Sequence, residues 1–238
     1  MSSEITAPDE GASSRGTHSY AGRLIAAEGV DGSGKSTQLQ LLRFWLQSEG
    51  YEARIVTWQP SKLIKRALKA GKKQGYMDPM LLSILQAADF AESYEREIVP
   101  ALRRGAIVLA DRYVYTALAR DLARGVEQRW IEDVYRFALR PDLAIYFQIT
   151  ADQSLERILS GASRVKYYQA GLDLKLSANP IENFRSFQRR ILQEYERVLA
   201  GLHVLRLDAT QTVKEQQRLL RQAVTQVLPD EPGEEGLC

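Results

Sequence analysis

Cysteine is almost absent from this 238-residue chain. The only one is Cys238, so neither a disulfide framework nor a cysteine-rich metal site can be assembled within one copy. Histidine is nearly as scarce: His18 and His203 are too few and too scattered for a metal centre, one falling in a tail and the other at a strand start. No apolar run approaches the ~18 residues of a membrane span, and the first residues carry no hydrophobic signal stretch, so a soluble, cytoplasmic protein is expected. A dominant charge is missing too. Lys+Arg 32 against Asp+Glu 30 leaves a net charge of +2, too mild to make nucleic acid or an anionic membrane the main partner. Internal repeats and long linkers are also lacking, which leaves one folded domain over residues 21–228 between a flexible tail at 1–20 and an acidic tail at 229–238.

What is present begins with Gly29-Val30-Asp31-Gly32-Ser33-Gly34-Lys35-Ser36, which meets the phosphate-cradling spacing G-x-x-x-x-G-K-[ST] at every fixed position. Small residues let backbone N–H groups turn inward around phosphate oxygens, and the helix that follows aims its positive end at the same place. Leu24-Ile25-Ala26-Ala27 before the loop reads as a buried strand, and the residues from Gln38 onward have helical periodicity. Gly29, Asp31, Gly32, Ser33, Gly34, Lys35, Ser36 and Thr37 thus form the expected ATP cradle, with Lys35 on the β/γ-phosphates and the Ser36 hydroxyl on Mg²⁺.

Further along, residues 52–58 read as a second strand, followed by a basic stretch with Lys62 at its head. Asp78-Pro79 opens a long helical region that runs to Gly105 with a kink or restart at Pro100. Ile107-Val108-Leu109-Ala110 supplies a third strand, 112–124 and 127–139 two helices, 143–149 a fourth strand, and 154–160 a short helix. Residues 161–179 read as an irregular, mobile lid; a helix, a fifth strand at 203–207 and a terminal helix complete the chain. Strands separated by helical stretches imply a five-stranded parallel sheet with helices on both faces, an α/β three-layer sandwich. Asp111 then falls at the C-terminal edge of a buried strand, where ligands collect in such sheets, as a Mg²⁺-side acid, with Arg112 placed to fork a phosphate.

Glu28 to Gln38, a long helix containing Ala87-Ala88-Asp89, and Asp111-Arg112-Tyr113 together resemble thymidylate kinase and its relatives among the nucleoside monophosphate kinases, over about residues 22–215. The resemblance implies the P-loop kinase fold, Mg²⁺-dependent phosphoryl transfer from ATP to a small nucleotide, a mobile lid and a homodimer. By position it makes Asp31 a contact to the acceptor nucleotide and Arg112 the bridge between donor and acceptor phosphates. Lys62 stands near an acceptor-phosphate position. Gly32 occupies the place where one branch of the family carries a catalytic arginine, so the lid branch is implied, with Arg157 and Arg164 as candidates.

The base pocket departs from the family. Gln86 and Phe90 stand where an aromatic stacker and a base-reading arginine are expected, and Arg120-Asp121 stands where a glutamine is common. Three readings follow: a thymidylate-kinase-like enzyme with dTMP as reference acceptor, a kinase of the same fold with another acceptor, and a nucleotide-binding regulatory protein. Intact Lys35, Ser36, Asp111 and Arg112 weigh against the last.

Overall fold

The computed structural model describes residues 18–75, 77–161 and 166–229. Residues 1–17 and 230–238, which make up most of the tails expected at 1–20 and 229–238, and Arg164 in the lid, lie outside the described residues.

Five parallel strands form one sheet in the order β2-β3-β1-β4-β5: β1 Arg23–Glu28, β2 Ala53–Thr57, β3 Ile107–Asp111, β4 Leu143–Gln148 and β5 Val204–Asp208. Period-2 alternation splits their side chains between two cores. Ile25, Ala27 and Leu109 pack with Leu39, Leu42, Phe187, Ile191 and Leu220, from helices α1 (Lys35–Ser48), α8 (Pro180–Val198) and α9 (Val213–Thr225). On the other face Leu24, Ala26 and Val108 pack with Phe90, Tyr94, Leu102 and Ile131, from α3 (Pro79–Ser93), α4 (Val99–Arg103), α6 (Gln128–Val134) and the π-helical turn Tyr94–Ile98. The inner strands β1, β3 and β4 are buried on both faces, so they read as continuous apolar runs rather than alternating ones. The predicted three-layer α/β architecture is the observed one.

Several boundaries moved for local reasons. The long helical region restarts at Pro100 as predicted, but through the π turn, where the Val99 N–H bonds back to Tyr94; Pro100 then sits in the first turn of α4, where its missing N–H is harmless. The helix expected over 127–139 stops at Val134. Two tyrosines take the backbone of Leu139: Tyr113 Oη donates to its carbonyl at 3.0 Å and its N–H donates to Tyr94 Oη at 3.2 Å. Helix α7 (Ala151–Ser160) starts three residues earlier than expected, because Thr150 and Gln153 close a capping box. His18, expected in the tail, is held in the fold with Nε2 3.1 Å from Asp142.

The part of the expected lid that is described, 166–179, contains a run of turns fastened to its surroundings. Asn183 and Gln188 of α8 donate to the carbonyls of Ala170 and Gln169 at 2.9 and 2.8 Å. Tyr168 Oη reaches the Leu68 carbonyl at 3.0 Å, on α2 (Lys62–Gln74). Among the described residues no helix is long and apolar enough to cross a membrane.

Candidate active site

The loop between β1 and α1 is shaped by residues that only glycine can supply. Gly29 and Gly32 have φ of 135° and 76°, and a Cβ on either would come within 2.8 Å of the Phe147 carbonyl oxygen or 2.9 Å of that of Ser154. The second approach also accounts for the missing side chain at 32, because α7 occupies that space. Ser154 Oγ donates to the Asp31 carbonyl at 2.7 Å, so α7 buttresses the loop.

Lys35 is buried and donates to the carbonyls of Gly29 and Val30 at 3.0 and 2.8 Å and to Ser33 Oγ at 3.1 Å. Burial and then the neighbouring Arg112 charge push its ammonium down to about 7. Ser36 donates to Asp111 Oδ2 at 2.5 Å, joining the two predicted metal-side oxygens across from β3.

Arg112 connects the two halves of the site. Its Nη1 donates to the Gly29 carbonyl at 3.1 Å and its Nη2 to the Asp31 carboxylate. Arg120, on α5 (Val114–Leu122), reaches the other oxygen of Asp31 at 3.5 Å. Burial alone would raise Asp31, but Arg112, Arg120 and Lys35 prevail and hold it well below the usual carboxylate range. Three cations thus face one carboxylate. Burial, together with the Arg112 charge, pulls even the Arg120 guanidinium down to about 10, and a phosphate seated among these cations would offset that strain.

Beyond Arg112 lies a cavity of about 160 Å³. Trp58 and Pro60 form one wall, Leu82, Gln86 and Asp89 of α3 another, and Arg112, Arg120 and Arg124 the cationic side. Tyr167, Tyr168 and Gln169 close it. Asp89 is fixed by accepting the Ser61 N–H at 2.7 Å. Arg124 is held by Asp173 at 3.0 Å and by the Tyr168 carbonyl at 2.5 Å, with its guanidinium 4.5 Å from the Phe187 ring centroid.

Of the residues read from sequence, the structure brings the loop, Asp31, Lys35, Ser36, Asp111, Arg112 and Arg120 together, and Gln86 lines the cavity. Phe90 does not. It is 2% exposed and stacks among Trp58, Tyr94, Tyr113 and Tyr135, so it supports the Trp58 wall from behind. Asp121 is fully buried and accepts the Ser83 hydroxyl, one layer behind α3; burial lifts its carboxyl to about 6. Lys62 is exposed at the start of α2 and is not among the cavity-lining residues. Arg157 bonds the carbonyls of Gly32 at 3.3 Å and Ala209 at 2.8 Å, at the loop's outer rim.

Sequence reading missed Trp58 and Arg124 as wall residues. Arg124 lies four residues after Arg120, inside the helix expected over 112–124, and that spacing was available as a signal, although α5 ends at Leu122 and Arg124 falls in the turn after it.

A phosphate loop bonded through one arginine to a cationic cavity is the layout of an enzyme that joins two anionic substrates. A family model for thymidylate kinase matches residues 27–220. The chain belongs to the thymidylate kinase family. It is 39% identical over 178 residues to a probable thymidylate kinase 2 of Saccharolobus solfataricus, covering 74% of this chain and 83% of the relative. A probable thymidylate kinase of Thermococcus onnurineus is 42% identical over 57% of this chain and 70% of its own length. The thymidylate kinase of Clavibacter sepedonicus is 36% identical over 61% and 71%. Membership makes this chain a thymidylate-kinase-like phosphotransferase, with ATP and small nucleotides as the substrates that the family implies.

Proposed function

We propose that the enzyme transfers the γ-phosphate of ATP to a nucleoside monophosphate in the cavity, with dTMP as the reference acceptor. The observation that carries this reading is Arg112, which lines the cavity and at the same time bonds the P-loop at Gly29 and Asp31. Phosphoryl transfer needs charge neutralisation and alignment more than covalent help, and a guanidinium fork between two phosphates supplies both. Lys35 exchanges its loop carbonyls for the β/γ-phosphates, whose charge favours its ammonium form. Asp31 faces the acceptor, while Arg120 and Arg124 balance the acceptor phosphate. Gln86 and Trp58 are the side chains best placed to meet the base, the amide by hydrogen bonds and the indole by apolar contact. Arg157 braces the outer rim of the loop through the Gly32 carbonyl.

The donor set fits Mg²⁺. Ser36 and Asp111 offer one hydroxyl and one carboxylate, both hard oxygens, and among the described residues no cluster of three or more His, Cys, Asp or Glu could form an all-protein cage. Mg²⁺ is characteristically bound by one or two protein oxygens together with substrate phosphates and water. When bound, it would neutralise charge on the phosphates. We also propose a homodimer, because α2 and α3 pack together and expose Leu63, Met80 and Ile84 to solvent; sedimentation of Ile84→Glu against wild type tests this, and an unchanged dimer, or a wild-type monomer, opposes it.

The test of function is coupled ADP release from ATP–Mg²⁺ across the common nucleoside monophosphates. Release should depend on the acceptor, with dTMP preferred. No stimulation by any of them overturns the reading, and a clear preference for another acceptor reassigns the base.

A further inference from the structure

We propose that Glu28 is a positioning residue, clasping the backbone beside Arg112 so that its guanidinium points between the two phosphate sites. Arg112 has φ of 78°, a left-handed conformation that a side chain with a Cβ rarely adopts and that persists only when its surroundings impose it. Two consecutive residues at the end of β1 impose it. The Arg112 N–H donates to the Ala27 carbonyl at 3.0 Å, and the next N–H, that of Tyr113, donates to Glu28 Oε1 at 3.0 Å.

The other oxygen of Glu28 is also engaged. Thr116 Oγ1 of α5 donates to Oε2 at 2.5 Å and Tyr195 Oη of α8 reaches it at 3.2 Å, the two hydroxyls being 2.8 Å apart. Glu28 is 1% exposed. A carboxyl group at that depth is expensive to bury, and its oxygens accept from the turn after Arg112 and from α5 and α8. Glu28 immediately precedes Gly29, whose carbonyl accepts from the same guanidinium, so one short stretch of chain fixes both the backbone and the side chain of Arg112. Glu28 has no place in the phosphate chemistry itself and acts through Arg112.

This inference rests on the reading that Arg112 contacts the transferring phosphate, and a double-mutant cycle separates the two. Wild type, Glu28→Ala, Arg112→Ala, the double variant and Glu28→Gln are compared in full-length enzyme by steady-state ADP release with ATP–Mg²⁺ and dTMP, alongside thermal unfolding. Arg112→Ala should lower kcat roughly 100-fold, and Glu28→Ala roughly tenfold or more with KM for ATP within about threefold of wild type. In the Arg112→Ala background, Glu28→Ala should have almost no further effect, about twofold at most, because the two act as a unit. Glu28→Gln keeps an acceptor for the Tyr113 N–H and can donate to Thr116, so kcat should return to within about threefold of wild type.

Wild-type kcat in Glu28→Ala, with only a lower Tm, assigns Glu28 a purely structural role and overturns the proposal. Losses that multiply in the double variant overturn it as well. If Glu28→Ala does not fold, Glu28→Asp, whose shorter arm withdraws from the Tyr113 N–H, replaces it in the same cycle with the same criteria. An Arg112→Ala enzyme of wild-type activity removes the phosphate role of Arg112 and the inference with it, whereas an impaired Arg112→Ala enzyme with multiplying losses removes the inference alone.

Discussion

Arg112 Nη1 lies 3.1 Å from the carbonyl oxygen of Gly29, the first residue of the phosphate loop, while the same side chain lines the cavity beyond it. In the proposed reading, donor and acceptor sides of this kinase share that one guanidinium. The guanidinium is held from two sides, by the Gly29 backbone through Nη1 and by the Asp31 carboxylate through Nη2.

Arg112→Lys keeps a positive charge and loses the fork. A lysine cannot bond Gly29 and Asp31 together while reaching a phosphate, so kcat/KM should fall roughly 10- to 100-fold in steady-state ADP release. A change smaller than threefold would show that charge alone suffices.

Ser36 and Asp111 meet at 2.5 Å, and in the proposed reading each would offer an oxygen to Mg²⁺. In Asp111→Asn the Mg²⁺ concentration giving half-maximal rate should rise on the order of tenfold, as is usual when a partner of a metal ligand or a ligand itself is weakened. Titrating Mg²⁺ at fixed ATP checks this. An unshifted midpoint would remove Asp111 from the metal side.

Gln86 and Phe90 should separate cleanly. Gln86 faces the cavity and Phe90 the aromatic core, so Gln86→Ala should raise the acceptor KM with little change in Tm. Phe90→Ala should cost about 3–5 kcal/mol of stability. Calorimetry and acceptor kinetics on the two variants decide the point; Tm loss in Gln86→Ala, or none in Phe90→Ala, would reverse the assignment.

Burial raises the Glu28 carboxyl from its ordinary 4.5 to about 7, against the opposing pull of Thr116 and Arg112. An acid whose folded value is raised contributes stability that is complete below its unfolded value and is lost as pH rises through the folded one. Wild type should therefore lose stability relative to Glu28→Gln between pH 4.5 and about 7, by roughly 3 kcal/mol. Asp121, lifted to about 6 by its own burial, has the same sign, but it is present in both proteins and cancels. Denaturant unfolding across that window measures the difference, and parallel pH curves would contradict the burial of an ionisable Glu28.

The sheet was readable because parallel strands buried on both faces appear as unbroken apolar runs, as in Leu24 to Ala27 and Ile107 to Ala110. The donor side was readable because phosphate dictates residue types at fixed spacings over eight consecutive positions. The acceptor side is assembled from segments far apart in the chain, from Trp58 to Gln169. Phe90 satisfies helical spacing for either a core or a pocket residue, and only its distant neighbours Trp58 and Tyr135 decide which. Asp121 looks like a surface acid on its helix until Ser83, 38 residues away, is found against it. The end of α6 depends on Tyr94 and Tyr113 capturing Leu139, long-range contacts that no local signal carries.

The most direct test is ADP formation from ATP–Mg²⁺ with and without dTMP, in wild type, Lys35→Ala and Arg112→Ala. Two-substrate phosphoryl transfer through Arg112 predicts release in wild type that depends on the acceptor and is lost in both variants. ADP release at the same rate with and without every nucleoside monophosphate would contradict it.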